Sequence, residues 1–250
     1  MPHTIQSVGT NPLPQKARQR QKGISLPREL QQLIRQLLDL QDLYNQSQLS
    51  VSLSRHLQAI TKTNTPITSI VSLGLGSLLV TKGQSRRLKQ LAILLAIRDY
   101  LQEGRQEPIE VYAQDPTFTR QDEALLRSLG IQILRTPSGS DLGEAASFIS
   151  PATLVYSPFL TLEAYEQLFD RPEIPIQYLV GDDFNALLKK WPKRSAERRQ
   201  VERVIRSGLS TYRRRTVAGE DFWTETDETF PMAVYTRPDG EGAVKVKARI

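Results

Sequence analysis

Apolar residues recur along this chain in two rhythms. Leu30, Leu33, Ile34, Leu37 and Leu38 follow a helical spacing that breaks at Gln41 and resumes at Leu43 and Tyr44. The stripe predicts a long amphipathic helix packed on the core, with Ser25 as N-cap and Pro27 in its first turn. Val51, Leu53, Leu57 and Ile60 predict a second, weaker helix, which carries His56 as a surface or core-edge histidine. From Pro66 the rhythm changes. Short apolar runs at 68–73, 109–113, 131–134, 153–156 and 176–180 predict strands, and helical stripes fall between them. Leu88, Leu91, Ala92, Leu95 and Tyr100 mark one helix, which starts near Ser85. Thr119 caps another, with Asp122 three residues on and a stop at Gly130. The segment 140–150 reads as a loop or short helix, and Thr161 caps a helix over 162–169. From Phe184 a helix runs to Lys190, Pro192 breaks it, and 193–207 resumes as a basic helix.

Strands alternating with helices in this way predict right-handed crossovers. The fold class is α/β: a Rossmann-like, doubly wound, mostly parallel sheet of about five strands, with N-terminal helices and flexible terminal tails. The organisation that follows is a disordered tail over 1–23, helices packed on the core over 24–64, the Rossmann-like domain over 65–190, a basic helical segment over 191–215 and a C-terminal tail over 216–250. That tail contains an acidic-aromatic stretch and leaves room for an edge strand at 233–235.

Composition narrows the chemistry. The 250 residues include no cysteine and only His3 and His56, which removes thiolate and histidine-rich metal sites and a cysteine nucleophile. No metal site and no cofactor is assigned. Residues 1–22 are polar and basic without an apolar core, unlike a secretory signal. The most apolar stretches, 67–80 and 88–97, fall short of the roughly 20 residues that span a bilayer, so the expectation is a soluble protein of the cytoplasm, the nucleus or both, without a membrane partner. Positive charge is localised: residues 189–215 hold eleven Lys or Arg against two Glu, whereas the whole chain is +6. The rest is therefore slightly acidic. Lys189, Lys190, Lys193 and Arg194, with Arg213, Arg214 and Arg215, fit nuclear import signals, a patch for an acidic partner or nucleic acid, or a solvated helix face. Few aromatics accompany them, so there is no stacking platform for single strands.

Polar and turn-forming residues gather at the predicted strand ends: Gly74 and Gly76, Asp115, Ser157-Pro158 and Asp182-Asp183. In open α/β sheets ligands bind outside the carboxyl ends of the strands, where strand order reverses. There Gly74 and Gly76 can lie beneath a ligand, Asp115 can accept from ribose hydroxyls, and Tyr156 to Phe159 can line a pocket. Each residue has a plainer reading. The Gly-x-Gly lacks its third glycine, since position 79 is Leu, and serves equally for close packing. Asp115-Pro116 starts a turn, Ser157-Pro158 ends a strand, and Asp182-Asp183 caps a helix. Lys82, Arg86 and Arg87 can meet an anion or stay solvated. No histidine and no Ser or Lys with an evident base lies nearby, so no catalytic residue is assigned.

The ordered set of segments resembles the Sensitivity-to-Red-Light-Reduced (SRR-like) domain across residues 65–190. The likeness runs through the strand ending Gly74-x-Gly76, the Ser85 and Gln90-Leu91-Ala92 helix, Tyr112-Ala-Gln-Asp115-Pro116-Thr-Phe118, Asp122, Leu129-Gly130, Thr153-Leu-Val-Tyr156-Ser157-Pro158 and Gly181-Asp182-Asp183-Phe184. Gln114 lengthens the approach to Asp115, and Asp182 stands where that family's pattern has Asn. The resemblance implies a regulatory rather than enzymatic protein: light input and circadian-clock-linked gene expression in plants, cytoskeletal stability and haem-related regulation in fungi and animals. It carries over no catalytic residue. The domain is also similar in outline to Rossmann-like methyltransferases, but Tyr156 and Ser157 replace the amide or carboxylate and the proline of their Asn/Asp-Pro-Pro-Tyr loop. Three readings follow: a non-catalytic regulatory or interaction protein with protein partners, in clock-linked or stress-linked gene regulation; an S-adenosylmethionine- or nucleotide-dependent transferase with a strand-end pocket; and a nucleic-acid binder.

Overall fold

The computed structural model describes residues 27–62, 65–138, 142–169, 176–219, 221–227 and 231–238. The tail expected over 1–23, the Ser25 cap and residues 239–250 lie outside them. Five strands form the parallel part of one sheet: β1 (Ser69–Leu73), β2 (Glu110–Gln114), β3 (Ile131–Leu134), β4 (Thr153–Ser157) and β5 (Tyr178–Asp182). In β1, β4 and β5 every residue is buried. A strand covered on both faces reads as a continuous apolar run, which is why these were visible in the sequence.

Strand order is β3-β2-β1-β4-β5-β7-β6. The chain leaves β1 for β2 and β3 on one side and returns to β4 and β5 on the other, so the switch point lies between β1 and β4. α1 (Arg28–Asn45), α2 (Gln48–Thr61), α3 (Gln84–Gln102) and α4 (Arg120–Ser128) cover one face. α5 (Ala145–Phe148), α6 (Leu162–Phe169), α7 (Phe184–Lys190) and α8 (Ala196–Val204) cover the other. α1 begins at Arg28, with Pro27 in the cap position rather than inside the first turn. It buries Leu30, Leu33, Leu37 and Tyr44, while Leu38 and Leu43 of the expected stripe turn outward. α3 is buried at every position from Leu88 to Leu95, because α1 and α2 cover the side that the sheet does not. Such a helix has to find a partner for Lys89 within the protein.

The chain beyond the parallel strands departs from expectation. The basic segment is helical only through α8 and a π-helical turn, Ile205–Leu209. There Gly208 lies so close to Phe169 that an added Cβ would sit 2.3 Å from its ring. Arg213 to Arg215 then enter β6 (Arg213–Val217), and β7 (Met232–Thr236) runs antiparallel between β5 and β6. The expected tail from 216 is therefore part of the sheet over its described strands, and the strand foreseen at 233–235 is an inner one. Between β6 and β7, residues 221–227 form a strap across α1, α2 and α3. Asp221 accepts from the Gln48 backbone at 2.7 Å, and the Phe222 ring meets Tyr44 edge-on at 5.4 Å. Asp227 pairs with Lys89, each at most 3% exposed. Ser85 Oγ and Thr224 Oγ1 also donate to Asp227, at 2.7 and 2.6 Å.

Candidate functional site

β1 ends in a loop where Gly74 and Gly76 both hold φ of 76°, a region that favours glycine. The amides that follow are satisfied by side chains from the β2–α4 loop and from α4. Gly76 N–H donates to Asp115 Oδ2 at 2.8 Å, Ser77 N–H to Thr117 Oγ1 at 3.0 Å and Leu78 N–H to Asp122 Oδ1 at 2.8 Å. Asp115 Oδ1 also takes the backbone N–H and hydroxyl of Thr117, at 2.8 and 2.6 Å. That is the turn-starting geometry of an aspartate before Pro116. Asp122 is fully buried. Its Oδ2 accepts from Ser77 Oγ, Thr119 N–H and Thr119 Oγ1, each at 2.8 Å. One carboxylate thus closes the α4 capping box and clamps the β1–α3 loop at once. Farther along that loop, Arg87 donates to the carbonyls of Val80 and Lys82. Burial and the neighbouring Arg86 lower its pKa.

A second cluster stands at the ends of β4 and β5. Ser157, Tyr165 and Asp182 are buried together. Ser157 Oγ donates to Tyr165 Oη at 3.0 Å and Asp182 N–H does so at 3.2 Å. The tyrosine has one proton and two acceptors, the Ser157 carbonyl at 2.6 Å and Asp182 Oδ2 at 2.9 Å. With Asp182 ionised that proton is contested; with Asp182 protonated it goes to the carbonyl. Burial pushes the Asp182 carboxyl up to about 7, against hydrogen bonds from Tyr165 and the Phe159 backbone and the charge of Lys190. Gly181 makes room for the cluster, since a Cβ there would lie 2.7 Å from Tyr165 Oη. Next to it, Asp183 caps α7 through Asn185 N–H at 3.0 Å and accepts Arg214 Nε at 2.7 Å.

The cluster yields a prediction. A carboxyl with a folded pKa near 7, against about 4 unfolded, binds more protons in the native state across that window, so stability falls as pH rises through it. The effect is on the order of 4 kcal/mol. Asp182→Asn supplies a neutral amide, the residue of the family pattern. The variant should match the parent most closely near pH 4, gain on it steadily as pH rises toward 7, and unfold at clearly higher urea near pH 8. Parallel urea curves at both pH values would contradict this.

Between these clusters, at the switch point, a cavity of about 220 Å³ opens over the ends of β1, β2 and β4. Leu73, Leu142, Phe159 and Leu160 form its apolar walls, and Gly74, Asp115, Thr117 and Thr161 contribute polar atoms. Phe159 has φ of 61°, the one positive φ at a non-glycine among the described residues, which is strained backbone for an aromatic side chain. The Arg86 guanidinium sits over its ring, 4.2 Å from the centroid. Larger cavities lie elsewhere: one of about 580 Å³ among α1, α2 and α3, and one of about 690 Å³ beside α6 and the π turn. Neither is lined by a strand end.

Of the expected site residues, Gly74 and Asp115 reach this cavity. Gly76 packs against Arg87 instead, where a Cβ would be 2.6 Å from Cδ. Ser157, Pro158 and Asp182 are buried and do not line the cavity. The basic patch is divided. Lys189, Lys190, Lys193 and Arg194 are exposed around the end of α7, whereas Arg213 and Arg215 alternate with Arg214 on β6, on opposite faces of the sheet. Among the described residues no group of His, Cys, Asp and Glu could hold a metal ion, and no helix is long and apolar enough to cross a membrane. His56 contacts the Thr216 carbonyl at 3.0 Å. Sequence reasoning missed Tyr165, the Lys89–Asp227 pair and the double duty of Asp122.

Comparison with known proteins follows the fold. Residues 40–229 match the SRR1 domain among protein families. No curated protein sequence matches the chain. Among solved structures, the crystal structure of cofactor-bound Rv0187 from MTB is similar at 11% identity and a TM-score of 0.43, over 82% of this chain and 89% of that one.

Proposed function

This chain belongs to the SRR1 domain family, and from that we propose that it is a non-catalytic regulatory or interaction protein, working through protein partners in clock-linked or stress-linked gene regulation in the cytoplasm, the nucleus or both. The observation that carries the reading is the employment of the rim's acids. Asp115, Asp122, Asp182 and Asp183 each hold a loop, a helix cap or a buried hydroxyl. A general base needs reach to a substrate proton and a pKa poised for the transfer. The one carboxyl poised near neutrality, Asp182, is sealed behind Tyr165 and does not line the cavity.

The partner surface in this reading is the exposed turn after α7. Lys189, Lys193 and Arg194 make no ion pair among the described residues. Arg213 to Arg215 contribute less, because a strand hydrogen-bonded to β7 cannot be read as an extended signal. The test uses the full chain as bait for pull-downs, beside a variant with Lys189, Lys190, Lys193 and Arg194 changed to Glu. A partner retained by the parent and lost by the variant is expected. Equal recovery of the same proteins by both would count against this surface.

A second reading, an adenosyl- or nucleotide-dependent transferase, draws on the switch-point cavity and on a sheet plan with an antiparallel β7, by fold analogy alone. Release of S-adenosylhomocysteine from S-adenosylmethionine by the purified chain, over a range of amine and hydroxyl acceptors, would put it first.

A further inference from the structure

We propose that the switch-point cavity takes an aromatic heterocycle of about nucleoside size that bears no phosphate. The inference goes beyond the partner-binding reading of the α7 surface and is tested apart from it.

Where a loop like the one after β1 binds phosphate, successive backbone N–H groups converge on the anion, often at the start of the next helix. Here the amides of Gly76, Ser77 and Leu78 are already spoken for by Asp115, Thr117 and Asp122, at 2.8 to 3.0 Å. Two of those three acceptors are carboxylates, which put negative charge where a phosphate would have to sit. The helix start is elsewhere too: α3 begins at Gln84, eight residues past Gly76, and Gln84 faces a different cavity, beside α1. Among the described residues no Lys or Arg lines the switch-point cavity, and Asp115 is the only charged one that does. A phosphate placed there would be desolvated beside a carboxylate, with the Arg86 guanidinium engaged over the Phe159 ring rather than lining the cavity.

What the cavity does offer suits a flat, largely apolar group. Leu73, Leu142 and Leu160 form walls, and Phe159 adds an aromatic ring with Arg86 over it. Gly74 forms part of the floor; its φ of 76° favours glycine, and its missing Cβ leaves room for Leu160, whose Cα would lie 3.4 Å from one. Asp115 has three hydrogen bonds on a carboxylate with about four lone-pair sites, so it can accept one more, from a hydroxyl or amino group, or lie near a cationic one. The volume of about 220 Å³ is below the usual range for drug-sized ligands, which favours one heterocycle with its sugar over a dinucleotide. The strained Phe159 backbone is held from below by Asp182, so the wall is set before the ligand arrives.

Calorimetric titration of the full chain with adenosine, S-adenosylhomocysteine, AMP and ATP tests the proposal. Adenosine should bind, AMP should bind about tenfold or more weakly for want of a counter-ion, and ATP weaker still. Ser138→Trp, on the exposed lip of the cavity, should abolish adenosine binding at unchanged thermal stability. AMP or ATP binding as tightly as adenosine would overturn the exclusion of phosphate. So would binding of adenosine that Ser138→Trp leaves intact, or no adenosine binding at all. The regulatory reading stands or falls separately, on partner recovery by the α7 surface.

Discussion

Alanine at position 122 is expected to lower the stability of the folded chain by about 3–5 kcal/mol. Asp122 is fully buried and accepts four hydrogen bonds, from Ser77 Oγ, Leu78 N–H, Thr119 N–H and Thr119 Oγ1. The hydroxyls can turn to other acceptors, but two backbone donors cannot, and each buried donor left unpaired costs about 1–3 kcal/mol. Loss of the α4 cap adds about 1 kcal/mol. Asp122→Asn should fall between parent and alanine, because one amide oxygen still accepts while the NH₂ faces donors. Equilibrium urea unfolding measures the series. A midpoint for Asp122→Ala within error of the parent would mean that the loop does not depend on this carboxylate.

Lys89→Met should cost a similar amount, about 3–5 kcal/mol, because it leaves the buried Asp227 carboxylate without its counter-charge. Burial pushes the Asp227 carboxyl up, but hydrogen bonds from Lys89, Thr224 and Ser85 outweigh it and hold it at about 2. A depressed carboxyl lends stability above its unfolded pKa near 4 and loses it as pH falls toward 2, the reverse of Asp182. The Lys89 ammonium also lies 5.4 Å from the Phe222 ring centroid and 5.9 Å from that of Trp223, so its removal loosens the strap. Tryptophan emission should shift to the red before global unfolding, as Trp223, 8% exposed in the parent, meets water. Adding Asp227→Asn should restore much of the loss, since the pair's desolvation is then relieved on both sides. A double variant as unstable as the sum of the two singles would refute the pairing.

The parallel sheet was legible because strands buried on both faces announce themselves as apolar runs between turn residues. β6 was not. An outermost strand packs on one neighbour only, so Arg213, Arg214 and Arg215 carry no hydrophobic signal, and the sequence reads equally well as a basic helix. The strap was missed for a different reason. Phe222, Trp223 and Asp227 find their partners far away in the chain, Tyr44 in α1 and Lys89 in α3, the latter 138 residues before Asp227, and no local pattern encodes contacts of that range. At the rim, the sequence placed Gly74, Gly76 and Asp115 at one edge of the sheet. It left open whether the carboxylate faces the cavity or the loop, because an aspartate after a strand has the same spacing in both cases. Nothing in the spacing of α6 singles out Tyr165; its hydroxyl gains meaning only when β5 brings Asp182 to within 2.9 Å.

The account turns on the loop amides after β1 being filled by the protein's own side chains. Amide hydrogen exchange at Gly76, Ser77 and Leu78 in the unliganded chain reads this directly. All three should be protected, with Gly76 released selectively by Asp115→Ala and Leu78 by Asp122→Ala. Exchange at the rate of open loop amides in the parent would contradict the account and leave the loop amides free to meet a ligand.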